Sequence, residues 1–431
     1  MIKDKYVCEE GKWITYTNES DPKKLLEDLF KYNSTWAIEY SSIIKKHRLN
    51  KGNIYIYYTK DKENKYTNPR LSILTKNGEI SKISGAAPYG NIESEMEIIL
   101  EKKIDEFSYN EEYKRRIKEL QNFTKIYSKW ANKEDLNKND LKFLYEIEHK
   151  INFIGYKNDD RINEIINTRD IKKDLSKIFD CDIEQISLTR EEALKGDIIA
   201  HFGNLDLNDL DDITDIKLPK YILGNLYLNN LKNLKNNILP SYVLYDIDLG
   251  NIKSAEDIIF PEYVGGSLYL NSMETFKNIM LPTIVGRYLS LDSVTNLKGT
   301  KLPKSIGVTL GLTELKSLED VELPKFIGAN ININNILEMK NVIFPRKIEG
   351  TFSAINLNIM ENTILPDSIG ENLLLNSLTS IKNVTFPKYI NNTLELGNIS
   401  RSEKVVIPDE LECNVKVTSN ISELRNNLDY Y

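Results

Sequence analysis

Hydrophobic residues in the second half of the chain recur with a fixed period. Ten of the thirteen prolines stand 21 residues apart, from Pro219 to Pro408, and a large apolar residue precedes each of them. Each 21-residue unit is called a coil here, with its proline as position 0. Positions 7 and 9 are mostly Leu or Ile, a period of two that predicts a β-strand. Position 3 is β-branched in the first nine coils, which also favours extended backbone.

A repeat of this length indicates stacked supersecondary units, each burying its apolar side against the next. We therefore predict a parallel-β solenoid over residues 203–417, with about eleven strands between Leu205 and Val417. A proline in every coil argues against helices on the opposite side. Residues 181–202 are expected to link and cap the solenoid at its first coil, and residues 418–431 to cap its last coil.

The coil length, the LxL strand and the recurring Leu-Pro pair resemble the short leucine-rich repeats of bacteria. This resemblance implies a leucine-rich-repeat-like solenoid. Position 10 departs from the asparagine ladder expected of that family, because Asn229 and Asn271 alternate with residues such as Gly250 and Thr313. A parallel β-helix is the alternative.

Residues 1–180 predict a separate α+β domain. Two helical patterns cover residues 21–33 and 36–46, and alternating segments then predict a small antiparallel sheet with a hairpin turn at Asn77-Gly78. Helical spacing returns afterwards and predicts four helices, over residues 92–107, 109–132, 139–151 and 162–179.

Charge is shared unevenly between the two halves. Residues 197–431 hold 29 acidic and 21 basic side chains, a balance of about −8, whereas the first 196 residues are nearly neutral. A basic stripe for nucleic acid is therefore not the obvious feature, and a basic protein that handles nucleic acid is the partner we expect. Nucleic acid as a direct partner stays open.

The cellular location of the protein and the redox state of its cysteines are predicted from features that the sequence lacks. No apolar leader segment and no run of eighteen apolar residues occurs, so we expect no secretion signal and no direct membrane contact. Cys8, Cys181 and Cys413 lie far apart and match no metal-ligand spacing, which indicates reduced thiols. We expect a cytoplasmic protein, in bacteria or, if phage-encoded, in the host.

Candidate chemistry is sparse. His47, His149 and His201 are the three histidines, none at helical spacing from another, and no glycine-rich nucleotide motif is present. We predict no metal, no cofactor and no catalytic residue, and hence a protein that is not an enzyme.

The candidate binding site lies on the predicted strands, because positions 6 and 8 point away from the core. Acidic and aromatic side chains there are typical of protein interfaces. The predicted partner-binding residues are Asp206, Tyr227, Asp246, Asp248, Tyr269, Tyr288, Asn332 and Glu395.

The segments GNIYIYYTKDKENKYTNPRLSI and NDLKFLYEIEHKINFIGYKNDDRINEI, followed by the repeat, resemble a group of uncharacterised proteins from Firmicutes-like bacteria, phages and mobile elements. This resemblance implies a role in conflict between mobile elements and their hosts. The function expected is protein–protein recognition, with inhibition of a host nuclease or defence system, such as an anti-CRISPR activity, as its specific form. The alternatives are an enzyme with its active site in the N-terminal domain, or a nucleic-acid binder through residues 55–76 and the basic helix near residues 113–129.

Overall fold

The computed structural model describes residues 10–17, 52–76, 78–87, 90–108, 110–151, 161–232, 234–235, 238–408 and 412–417. The helices predicted at 21–33 and 36–46 and the cap predicted at 418–431 lie outside these residues. The chain forms two compact units, Met1–Asp170 and Ile171–Tyr431, and each is described by itself.

The first unit contains the predicted antiparallel sheet. Its strands follow one another in chain order and are β1 (Gly11–Tyr16), β2 (Ile54–Lys60), β3 (Tyr66–Lys76) and β4 (Glu79–Gly85). Gly78 lies between β3 and β4 with a φ of 82°, the left-handed conformation that an Asn-Gly hairpin turn requires.

Helices cover the sheet. They are α1 (Glu97–Ile104, after a 3-10 turn at Ser94–Met96), α2 (Glu111–Ala131), α3 (Lys138–Leu144) and α4 (Arg161–Asn167). The core joins Leu71 of β3 to Leu100 of α1 and Ile117 of α2, all fully buried. The helix predicted over residues 162–179 is divided, because α4 ends at Asn167 and α5 (Ile171–Phe179) belongs to the second unit.

The second unit is the predicted parallel-β solenoid, and its coils have strands on three sides. Side A holds positions 2 and 3, side B positions 7 and 8, and side C positions 14 to 16. Side A comprises Ile186–Ser187, Ala200–Phe202, Tyr221–Leu223, Tyr242–Val243, Tyr263–Val264, Ile284–Val285, Ser305–Ile306, Phe326–Ile327, Lys347–Ile348 and Ser368–Ile369. Side B comprises Leu205–Asp206, Leu226–Tyr227, Ile247–Asp248, Leu268–Tyr269, Leu289–Ser290, Leu310–Gly311, Ile331–Asn332, Phe352–Ser353 and Leu373–Leu375. The last two strands, Tyr389–Leu396 and Glu412–Val417, run through both sides.

Side C was expected only within the β-helix alternative, and its strands were not assigned to residues from the sequence. Its strands are Leu234–Lys235, Ser254–Glu256, Thr275–Lys277, Ser317–Glu319, Glu338–Lys340, Ile359–Ile364, Ser380–Thr385 and Arg401–Val406. They form one sheet of three strands and one of five. Strands on three sides of most coils are consistent with the alternative interpretation, a parallel β-helix.

Successive coils pair in parallel with a shift of one repeat, so that Ile247 lies opposite Leu226 and Leu268. The resulting inward ladders are buried from end to end, as Leu270, Leu291 and Ile333 illustrate with no exposed surface. At the first coil, a 3-10 turn (Ile183–Gln185) and α6 (Arg190–Ala193) adjoin the strand Ile186–Ser187, and Ala193 joins the solenoid core.

Glycines mark the corner between sides A and B because adjacent coils approach closely there. The turn at Gly307 does not need a positive φ. Instead, a Cβ built there would stand 1.9 Å from the carbonyl oxygen of Gly286 on the preceding coil. The corner is glycine because adjacent coils approach too closely for a side chain.

Candidate functional site

The predicted binding residues of the first coils lie on adjacent rungs of side B. Asp206 pairs with Tyr227, Tyr227 with Asp248, and Asp248 with Tyr269. Neighbouring strands are about 4.8 Å apart, so carboxylates and phenol rings alternate along one line at position 8. Asp206 is exposed and the other three side chains are half-buried.

The other predicted residues divide into two sets. Asp246 and Tyr288 lie on the parallel line at position 6, beside the first set, and the Tyr288 ring is stacked under the guanidinium of Arg287 at 5.5 Å. Asn332 and Glu395 continue the position 8 line, three and six rungs beyond Tyr269. The structure therefore brings six of the eight residues together and leaves Asn332 and Glu395 apart.

Hydrogen bonds tie some of these carboxylates into the stack of coils. Asp246 Oδ1 accepts a hydrogen bond of 2.6 Å from the backbone N–H of Ser267, which lies on the next rung. Asp248 Oδ2 accepts from Asn229 Nδ2 at 2.9 Å, and Glu395 Oε2 accepts from Asn376 Nδ2 at 2.8 Å. These three acids have a structural role besides any contact with a partner.

Asp206, Tyr227 and Tyr269 form no side-chain hydrogen bond to another coil among the described residues. Asp206 accepts from the backbone N–H of Asn208, two residues further on, at 3.0 Å. The hydroxyls of Tyr227 and Tyr269 make no hydrogen bond to any residue that the structure describes. Both rings present an apolar body and an unpaired hydroxyl, the combination that makes tyrosine an effective interface anchor.

Aspartates of the first coil are paired with cations. Asp209 receives two hydrogen bonds from Arg190 Nη2 at 2.8 and 2.7 Å, and Asp211 receives one from Lys232 at 2.7 Å. Each partner lowers the pKa of its carboxyl group. Across the described ranges, no group of three His, Cys, Asp or Glu side chains is placed to hold a metal ion.

A serine–histidine pair lies inside the first rungs of side A. Ser187 Oγ is 3.0 Å from His201 Nδ1, and neither residue is more than 1 % exposed. Burial lowers the pKa of His201, which favours the neutral form of its ring. The pair satisfies two buried polar groups, but a substrate cannot reach the serine. Sequence reasoning missed the contact because the two residues meet only through parallel strand pairing.

Titratable groups of the first unit also form internal contacts. Glu119 Oε1 accepts from Arg115 Nη1 at 2.5 Å and lies 3.1 Å from His149 Nε2, and this bond raises the pKa of His149. Burial raises the pKa of Glu146, whose carboxylate accepts from the Ile151 N–H at 2.7 Å. These bonds hold the chain after α3 against α2.

The structure disfavours two functions considered from the sequence, base stacking by Tyr57 and Tyr58 and thiol chemistry at Cys181. Tyr57 and Tyr58, within the segment considered for nucleic acid, are 6 % and 2 % exposed and cannot stack on a base. Burial and two neighbouring aspartates raise the pKa of the Cys181 thiol, which disfavours the reactive thiolate. Cys8, His47 and the side chain of Cys413 lie outside the described residues.

Among the described helices, none has both the length and the apolar character needed to cross a bilayer. Comparisons with protein-family models, with curated proteins and with solved structures found no match.

Proposed function

We propose that this protein is a non-enzymatic binding protein that recognises another protein through the first coils of side B. The observation that supports this proposal is the line of Asp206, Tyr227, Asp248 and Tyr269 on successive rungs. Stacking does not require this composition, because position 8 in later coils holds residues as different as Ser290, Gly311 and Leu374.

The proposed partner is a basic protein. The solenoid half has an excess of about eight negative charges, and Asp206 is the most exposed acid of the line. Opposite charge accelerates association, whereas desolvated aromatic anchors mainly slow dissociation. A nucleic-acid-handling enzyme is a basic protein of this kind. The specific form of the proposal, inhibition of a host nuclease or defence system, rests on the resemblance of the front half to phage and mobile-element proteins.

The test uses capture from a bacterial lysate followed by kinetics with the purified partner. Wild type and the Tyr227→Ala/Tyr269→Ala variant are immobilised in parallel, with Tyr389→Ala, an exposed tyrosine of side A, as the matched control. We expect one basic protein that wild type and the control retain and that the double variant loses. Asp206→Lys should then slow association, and the effect should fade as salt screens charges over about 8–10 Å.

The proposal fails if the captured protein binds all three variants equally in surface plasmon resonance. It also fails if the captured species are substrates that the protein converts. Asp246 and Asp248 are poor probes here, because their hydrogen bonds to Ser267 and Asn229 confound binding with stability.

A further inference from the structure

The fourth coil that begins with a proline, residues 282–302, departs from its neighbours on side C. Residues 296–298 form no strand, and this gap separates the sheet of three strands from the sheet of five. Elsewhere Lys and Glu alternate at position 16, as in the ion pair between Lys235 and Glu256 at 2.9 Å. Here Lys298 follows Lys277, so two like charges occupy neighbouring coils.

Position 19 changes in the same coil. Five other coils have an exposed Ile or Met at this position: Ile238, Ile259, Met280, Ile343 and Ile364. The fourth coil has Lys301 instead. Because the coils share one backbone plan, the neighbours show that stacking does not require a cation there.

Three further cations lie near Lys301, on the next three coils. Lys304, Lys325 and Arg346 all stand at position 1, on successive rungs set by the pairing of Ser305 with Phe326 and of Ile327 with Ile348. All four cations are exposed. Lys301, Lys304 and Lys325 form no ion pair with any described residue, and Arg346 Nε lies 3.7 Å from Asp367 Oδ2. Glu322 lies among them and Asp367 follows Arg346, so four cations have two neighbouring carboxylates.

An exposed aromatic ring accompanies these cations. Phe326, next to Lys325, is 42 % exposed and makes no ring contact within the part of the chain that the structure describes. Its Cε1 would lie 3.4 Å from a Cβ at Gly328, and Tyr263 Cε1 likewise lies 3.0 Å from a Cβ at Gly265. The two rings therefore lean in the same way along their strands.

The environment of the two rings differs. Tyr263 stacks on Tyr242 of the preceding coil with ring centroids 4.8 Å apart and planes within 10°. At the equivalent place before Phe326 stands Ser305, whose side chain is too small to cover the ring. The ring face that Tyr242 covers at Tyr263 thus has no aromatic neighbour on the preceding rung at Phe326.

We propose that Lys301, Lys304, Lys325, Arg346 and Phe326, together called the cationic patch, bind single-stranded nucleic acid. The four cations contact consecutive phosphates, and a base stacks on Phe326. Cations along a backbone track and an exposed aromatic ring are the two elements of sequence-tolerant single-strand binding. An acidic protein segment would use the cations but not the open ring face. The patch includes no side B residue, so this inference is independent of the proposed protein interface.

The experiment measures fluorescence anisotropy of a labelled fifteen-nucleotide oligo-dT or oligo-U against the full chain at several salt concentrations. Four phosphate contacts on a single strand predict that log K falls with log salt at a slope of about −2.8. Lys304→Gln/Lys325→Gln should weaken binding and halve that slope. Phe326→Ala should weaken binding about 5- to 150-fold with the slope unchanged.

Lys388→Gln/Tyr389→Ala is the matched control, because these residues occupy positions 1 and 2 of a later coil that follows Asp367 rather than a cation. It should bind like wild type, and circular dichroism melts should show all variants folded. Absence of wild-type binding at low salt, or equal loss in the control, overturns the proposal. A poly-glutamate peptide that competes fully, together with an unaffected Phe326→Ala variant, would identify an acidic protein segment as the ligand instead.

Discussion

Replacing Leu270 by alanine tests the assignment of inward and outward positions on side B. Leu270 has no exposed surface, and backbone hydrogen bonds join its rung to the next through Ser290 O at 3.0 Å. Loss of a buried leucine costs about 2–5 kcal/mol through transfer and cavity terms. We expect the upper half of that range, because pairing on both sides holds the coil in place and limits collapse around the cavity.

Ser267→Ala provides the matched comparison within the same strand segment. Ser267 is also fully buried, but its hydroxyl has no hydrogen-bond partner within the described residues. Removing an unsatisfied buried hydroxyl relieves a desolvation cost, so this variant should be neutral or more stable by up to about 1 kcal/mol. The two substitutions therefore differ in sign although both residues are buried.

Urea unfolding followed by far-UV circular dichroism measures both variants. All three tryptophans, Trp13, Trp36 and Trp130, precede residue 171, so tryptophan fluorescence follows the first unit as a separate probe. Equal destabilisation by Leu270→Ala and Ser267→Ala would refute the assignment of faces. An unchanged free energy of unfolding in Leu270→Ala would show that Leu270 is not packed in the solenoid core.

Two further predictions concern the corner and a buried carboxyl. Gly307→Ala should destabilise the solenoid by roughly 1–3 kcal/mol, because its Cβ meets a backbone oxygen. Gly311→Ala, whose Cβ meets only side-chain atoms of Asp292, should cost less in the same urea melts. Burial raises the pKa of Glu97 to about 7, against 4.5 when unfolded, so the folded state holds the proton more tightly and stability falls as pH rises from about 4.5 to 7. Glu97→Gln should reduce that fall and be more stable than wild type at pH 8 by on the order of 3 kcal/mol, as measured by tryptophan fluorescence. A pH dependence unchanged by the substitution would contradict this.

The sequence was sufficient for side B because its signal is local. The spacing of Leu226 and Leu228 is enough to predict a strand. The 21-residue proline period then predicts the equivalent strand in all the other coils. The rung neighbours of Asp206, Tyr227 and Asp248 follow from the 21-residue shift without further information.

The strands of side C were not assigned to residues, although part of their signal is also periodic. Position 17 is mostly Asn, Asp or Gly and adopts a positive φ, as at Asp257, Asn341 and Gly299. That pattern marks a left-handed residue directly after positions 14 to 16 of each coil, but the LxL pattern alone does not indicate it. The Lys–Glu alternation at position 16 acquires meaning only when adjacent coils are known to pair, because the two charges are 21 residues apart in the chain.

Side-chain bonds between coils could not be predicted at all. The bond from the Ser267 N–H to Asp246 depends on the rotamer and on the corner geometry, neither of which residue type determines. The same applies to Ser187 and His201, where an apolar position of the ladder is filled by a polar pair. Such contacts alter the interpretation of the site, because they distinguish acids that stabilise the stack from acids that are free to bind.

In a solenoid, a residue with a proposed function can be compared with the residues at the same position in other coils. Each coil makes contacts mainly with its neighbours, so the residue required by stacking at a position is visible in the other coils. Leu270 and Gly307 agree with that requirement, and their substitution should reduce stability. Tyr227 and Lys301 differ from it, and their substitution should alter binding while leaving the unfolding transition nearly unchanged. A variant at either residue that lost binding only in proportion to lost stability would show that its departure from the repeat has no functional meaning.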